Sequence, residues 1–277
     1  MSRVRLNLGK TPVRLWKRCS FCILVEGVAL RSGNLAATTL VLMVRPWRDC
    51  PIRDCGEPLL PLEPALLCLR PHPYVSLGAP YGPGSDPFRL RQGVRQRLLL
   101  AQDELQRLQP SLRLGIFDAW RPVVVQSFMV EHAFLEECRR RQLDANQPSQ
   151  ASRHEEVRQL VERFWAPPSS DPTTPPPHST GAAVDLTLVS EAGMPLDMGG
   201  EIDAIGSVSE PDFYSELAHR NPDSAEAVWH ERRELLTSCL SVAGFVRHPN
   251  EWWHFSYGDQ LWAWRTAAAE AVYGRSD

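Results

Sequence analysis

Residues 167–177 read P-P-S-S-D-P-T-T-P-P-P, and no regular helix or sheet can run through them, because each proline lacks an N–H and has a fixed φ. The chain crosses this stretch as a loop. Directly after it stands H-S-T-G, residues 178–181, and then A-A-V-D-L-T-L-V, residues 182–189, which reads as a strand. A proline-rich segment is commonly an interdomain linker, but a linker has no need to deliver a histidine directly into a buried-looking strand. Gly181 permits a tight bend between the two. On the strand, Val184, Leu186 and Leu188 share one face and Ala183, Asp185 and Thr187 the other. Asp185 thus points away from the apolar face, among small neighbours. An acid so placed is solvated, hydrogen-bonded or a metal ligand, and His178 makes a His/Asp metal pair one reading of the segment.

Around this segment the chain reads as one continuous domain. Residues 89–108 carry Leu90, Val94, Leu98, Ala101, Leu105 and Leu108 at spacings of three or four among Arg, Gln and Glu, which predicts an amphipathic helix. Leu112 to Phe117 predicts a strand ending in D-A-W-R-P. A second helix is expected from about Pro122, with the proline in its first turn. A third is expected over Ser152–Trp165, and a long one over Ala225–Val242 with Gly244 placed to end it. H-P-Y-V-S-L-G-A-P-Y-G-P-G reads as a turn-rich loop. Helices and strands mix without a regular βαβ rhythm. The expected class is α+β, a single compact domain with a central antiparallel sheet flanked by helices.

Near the C-terminus E-W-W-H-F, Glu251 to Phe255, offers a second set of reactive groups. Trp252, Trp253, Phe255 and Tyr257 favour a strand, and Pro249-Asn250 signals a turn before it. On a strand, residues i and i+3 face opposite ways. Glu251 is therefore expected at the turn, where the backbone can redirect it toward the side that His254 faces. His254 by itself is either a core histidine or a ligand. Arg121 of D-A-W-R-P is a cation at a strand end, suited to an oxyanion or to a salt bridge, and Asp118 can pair with it. Taken together, His178, Asp185 and His254 form a three-ligand zinc set that leaves one position open. Glu251 is then free to take a proton from water held there.

Composition excludes several other classes. The net charge of -3 suggests no polyanionic partner. No apolar run reaches the roughly 18 residues of a membrane span. The seven cysteines form no regular framework, which argues against a disulfide-stapled secreted fold, and Cys19 and Cys22 form a lone C-x-x-C. Residues 1–42 differ from the rest. Both lysines, Lys10 and Lys17, lie there, before an apolar run that Glu26 interrupts. They read as a targeting segment, a disordered tail or translated upstream sequence with the true start at Met43; a disordered or non-native extension before a 43–277 catalytic domain is the favoured reading. The expected location is the cytoplasm, with export the alternative.

D-A-W-R-P, H-S-T-G-A-A-V-D-L-T-L, D-M-G-G-E-I-D (residues 197–203) and G-F…E-W-W-H-F, in that order, resemble the D-alanyl-D-alanine dipeptidases. These are zinc peptidases related to the D,D-carboxypeptidases and to the hedgehog signalling domain. The resemblance runs from about Arg45 to near the C-terminus and extends to H-P-Y, L-R-Q-G and P-P-P-H. It implies one Zn2+ per chain on His178, Asp185 and His254, with Glu251 as catalytic base and Arg121 as transition-state stabiliser. It implies an α+β fold and hydrolysis of the D-Ala-D-Ala dipeptide to two D-alanines, with that small D,D-dipeptide as the partner. Departures are Ile202, where the family pattern has Phe, the residues directly after Asp203, and Pro177 in front of the first ligand. The alternatives are a D,D-carboxypeptidase on peptidoglycan precursor peptides, a dipeptidase of other specificity, and a non-catalytic zinc module. Glu251 and Arg121 argue against the last. Oligomeric state is not legible.

Overall fold

Strand β5, Ala183–Ser190, is buried on both faces over all but its last residue, and the fold is built around it. A computed structural model describes residues 45–276. The expected boundary at 42/43 and the Cys19/Cys22 pair lie outside the described residues. A 3-10 turn at Pro46–Asp49 comes first, then short strands β1 (Leu59–Pro61) and β2 (Leu67–Cys68). Then come a single helical turn α1 (Pro73–Ser76), strand β3 (Arg89–Arg91), helix α2 (Gln92–Leu108) and strand β4 (Leu112–Asp118). Helices α3 (Val123–Arg140) and α4 (Ala151–Phe164) precede β5. After it come α5 (Ser215–Arg220), α6 (Ala225–Val242), β6 (Val246–Arg247), β7 (His254–Ser256) and α7 (Gln260–Thr266).

Five strands form the main sheet in the order β2-β4-β5-β7-β6, and β1 pairs with β3 in a separate ribbon. Mixed helices and strands without βαβ repetition confirm the α+β class. The sheet is not wholly antiparallel as expected, because β2 runs parallel to β4. The long connection through α1, β3 and α2 carries the chain back to the same end of the sheet, which parallel pairing requires. Val184, Leu186 and Leu188 pack with Leu114, Ile116, Leu98 and Leu236 against α2 and α6. Each fully buried aliphatic side chain there contributes about 1.5–3 kcal/mol relative to exposure. A second cluster, Val125, Met129, Phe134, Val157, Val161 and Trp165, joins α3 to α4.

The hydrophobic period locates the long elements and misplaces some ends. It puts Arg89–Arg91 within the helix, but these residues are strand β3. The Arg91 side chain reaches Thr180 O at 2.8 Å and Gly274 O at 2.9 Å, tertiary contacts that outweigh local periodicity. H-P-Y-V-S reads as loop but closes one helical turn, with Val75 N–H donating to the His72 ring at 3.4 Å. Pro122 stands just before α3 rather than inside its first turn. Trp252 and Trp253 are expected within the strand but lie outside β7. Gly244 ends α6 as expected, at φ +88°, with Phe245 N–H closing back on Leu240 O at 3.0 Å.

The segment 45–50 is tied to α7, whose Gln260 side-chain amide donates to the carbonyls of Arg48 at 2.9 Å and Cys50 at 2.7 Å. We propose that 43–277 is the complete folding unit. A chain begun at Met43 will unfold at the temperature of the whole chain. One begun at Pro51 takes away two of the three carbonyls that the Gln260 amide meets, leaving Thr173 O at 3.0 Å, and will lose about 1–3 kcal/mol. Thermal unfolding of both checks this, and a lowered midpoint for the Met43 chain overturns it.

Candidate active site

Strand register brings the reactive residues together. Across the sheet Asp185 lies opposite His254 on β7 and opposite Asp118 on β4, so the three side chains share one face. Asp118 reaches that face through a break in the register between Ile116 and Asp118, where β4 spends two residues against one of β5. Without this bulge the alternation from Ile116 would turn Asp118 into the apolar core.

His178 comes from the proline run, which ends in a 3-10 turn over Pro177–Thr180. The turn leaves through Gly181 at φ +69°, where a Cβ would come within 2.3 Å of Leu59 Cδ2, so any other residue there is strained and must displace the leucine. Ser179 Oγ donates to Arg121 O at 2.7 Å, locking this loop to the D-A-W-R-P corner. The run is therefore a fitted wall of the site and not a linker.

The imidazole and carboxylate ligand atoms of His178, Asp185 and His254 lie within 4.8 Å of one another, and all three residues are buried. His178 Nε2 stands 3.2 Å from Asp185 Oδ2 and 3.1 Å from His254 Nδ1, which is 3.0 Å from Asp185 Oδ1. A second partner settles the His178 tautomer. His178 Nδ1 donates to Ala119 O at 2.7 Å, which leaves Nε2 as a lone pair. With its proton on Nε2, facing Ser256 Oγ at 3.3 Å, His254 turns Nδ1 inward as a lone pair. Two lone pairs and a carboxylate converging in a buried space repel one another unless a cation lies between them. The donor set therefore fits a divalent metal, and its kind, two imidazoles and a carboxylate, fits zinc.

Glu251 precedes β7 in an irregular stretch held by Trp252 N–H to Ser209 O at 2.9 Å and Leu186 N–H to Trp253 O at 3.1 Å. Because this stretch is not extended, Glu251 and His254 fall on one side despite the i, i+3 spacing. Glu251 Oε2 is 3.6 Å from His254 Nδ1, and Oε1 is 3.6 Å from His248 Nδ1. It lies beside the three ligands and outside their cluster. Burial first, then the negative Asp185, push its carboxyl well above the ordinary range, while Arg45 pulls it back.

Arg121 is buried and fully engaged. Its Nη2 meets Asp118 Oδ2 at 2.7 Å, Asp185 Oδ2 at 3.3 Å and Tyr74 Oη at 3.3 Å, and its Nη1 donates to Gln126 Oε1 at 2.9 Å. The guanidinium stacks over Trp165 at 5.0 Å. Asp118 also accepts from His72 at 3.0 Å and Tyr81 at 3.2 Å. Its carboxyl is held at about 2: burial works against ionisation, but Arg121 and the hydrogen-bonded His72 prevail. Arg121 is thus a fixed positive charge beside the ligands.

Four pocket residues escape a reading of the sequence. Asp203, at φ +67°, accepts from Tyr74 Oη at 2.8 Å, and burial, then Asp185, raise its carboxyl to about 7. Arg45, Trp47 and His248 line the same pocket. Asp203 ends the D-M-G-G-E-I-D motif, but only its positive φ, a tertiary fact, turns it toward the pocket.

A buried His/Asp/His set with an uncoordinated carboxylate and a fixed guanidinium beside it is the construction of a metal-dependent hydrolase. Comparison with known proteins narrows the class. A family model described as D-ala-D-ala dipeptidase matches residues 73–271, and the chain belongs to this peptidase family. It is 46% identical over 226 residues to the D-alanyl-D-alanine dipeptidase of Synechocystis sp., covering 80% of this chain and 90% of that protein. It is 37% identical over 78 residues to the enzyme of that name from Escherichia coli, covering 28% of this chain and 36% of that one. To the enzyme of the same name from Enterococcus faecium it is 34% identical over 83 residues, covering 30% and 37%. Among the described residues no helix is long and apolar enough to cross a membrane.

Proposed function

We propose that the chain is a zinc D,D-dipeptidase that hydrolyses D-Ala-D-Ala to two D-alanines. The observation that carries this reading is the convergence of the His178, Asp185 and His254 donor atoms, with Glu251 standing free beside them. Zinc held by those three residues supplies a Lewis acid that polarises a carbonyl and lowers the pKa of water.

The chain's own residues do the rest. Glu251 takes the proton of the attacking water and later gives it to the leaving amine. Arg121, immobilised by Asp118 and Gln126, places a positive charge where the peptide oxygen becomes negative and needs no reorganisation to do so. Phe164, Trp165 and Trp253 wall the pocket and exclude water. Asp203 is the pocket carboxylate left without a cation of its own, and it suits the substrate's free ammonium. A longer peptide, whose nitrogen at that position is an amide, would lose the ammonium contact.

Steady-state assays on D-Ala-D-Ala and on a longer peptide ending in D-Ala-D-Ala test this. The dipeptide is expected to be preferred in kcat/KM by about 100-fold or more, since a longer substrate leaves buried polar groups unpaired. Equal or better use of the longer peptide would make the chain a carboxypeptidase instead. A chelator should abolish activity and added zinc should restore it.

A further inference from the structure

A D,D-dipeptide brings two charges into the pocket, and Asp203 answers only the ammonium. If the chain is a dipeptidase, another group must meet the C-terminal carboxylate. His178 and His254 turn lone pairs inward and offer no donor there. Arg121 has its guanidinium nitrogens committed to Asp118, Asp185, Gln126 and Tyr74. One other arginine lines this pocket, Arg45, together with Glu251, His248 and Trp253.

Arg45 is held differently. Among the described residues its hydrogen bonds run from Nη2 alone, to the backbone carbonyls of Glu162 and of Trp165, the latter at 3.2 Å. It forms no ion pair with a carboxylate among the described residues. Those two carbonyls, at the C-terminal end of α4, aim the guanidinium without neutralising it. Among the described residues Nε and Nη1 carry no hydrogen bond, and each can give a single charge-assisted bond to a carboxylate. The segment behind it is fixed too. Trp47 packs on His248 at 5.9 Å and on Trp264 at 5.9 Å, and Gln260 binds the carbonyls of Arg48 and Cys50. A positive group is thus anchored at the pocket wall with donors to spare, and the pocket already holds an opposite charge in Asp203 for the other end of the ligand.

We propose that Arg45 binds the C-terminal carboxylate of the substrate and so makes the enzyme selective for a free C-terminus. This rests on the dipeptidase reading of the site. The contact is made in ground state and transition state alike, so it acts mainly on KM.

The test compares D-Ala-D-Ala with its C-terminal amide in the wild type, Arg45→Ala and Arg45→Gln, the last keeping a donor for the α4 carbonyls. The wild type is expected to favour the free acid. Both variants are expected to raise KM for the acid by about 10- to 100-fold, as for loss of a charge-assisted hydrogen bond, with kcat changed far less. Their KM for the amide should stay near the wild-type value, so that the preference for the acid collapses. Equal losses on acid and amide would mark Arg45 as merely structural and overturn the proposal, as would a retained preference for the acid in both variants. A wild type that turns over neither compound would overturn the dipeptidase reading itself and this inference with it.

Discussion

Glu251→Gln will keep its zinc, near one ion per chain, while kcat for D-Ala-D-Ala falls by about 10²–10⁴-fold. The carboxylate stands 3.6 Å from His254 Nδ1, beside the donor atoms and not among them, so its loss leaves the ligand set intact. Glutamine matches its volume between His248 and Trp253 but cannot accept a proton. KM should change little, because the proton is transferred only on the way to the transition state. Metal analysis together with a D-alanine release assay reads both quantities. Near-normal kcat would remove Glu251 from the base role, and loss of zinc would make it a ligand.

His178→Ala is expected to act the other way, with metal and activity disappearing together. Two donors, Asp185 and His254, cannot hold zinc as three do, and the activity lost should exceed that of the Glu251 change. A second readout separates this from misfolding. Added zinc stabilises any folded state that binds it by mass action, so it should raise the unfolding temperature of the metal-free wild type and leave that of the variant where it was. A variant that takes up zinc stoichiometrically would refute the role of His178. The packing of the 3-10 turn rests on Ser179, Thr180 and Gly181, so the loop itself should survive the substitution.

Some of this architecture is legible in local sequence because its cause is local. The three-to-four spacing of Val94, Leu98, Ala101 and Leu105 predicts a helix, and they form the buried stripe of α2. The alternation of Val184, Leu186 and Leu188 predicts β5, and these side chains do enter the core while Asp185 faces the other way. The boundaries that differ have non-local causes. Arg91 leaves the helix to reach Thr180 and Gly274, and β2 joins β4 in parallel because of a connection spanning more than one helix. Trp252 and Trp253 favour a strand intrinsically. Instead they lie outside β7 at 5.4 Å from each other, where Trp252 N–H binds Ser209 O. β-propensity records a fit to a half-buried surface, and tertiary packing overrides it.

The chemistry divides in the same way. By itself the sequence determined which donors exist: two histidines and an aspartate able to hold a metal, a glutamate three residues from one of them, and an arginine at a strand end. Residue chemistry and short-range geometry suffice for that. Only the tertiary structure decided which face each donor takes. The β4 bulge turns Asp118 toward Arg121, and the register of β5 with β7 sets Asp185 against His254. The positive φ of Asp203 and the hold of α4 on Arg45 bring two further charges to the pocket wall. Each of these depends on contacts between residues far apart in the chain, and neither spacing nor periodicity encodes such contacts.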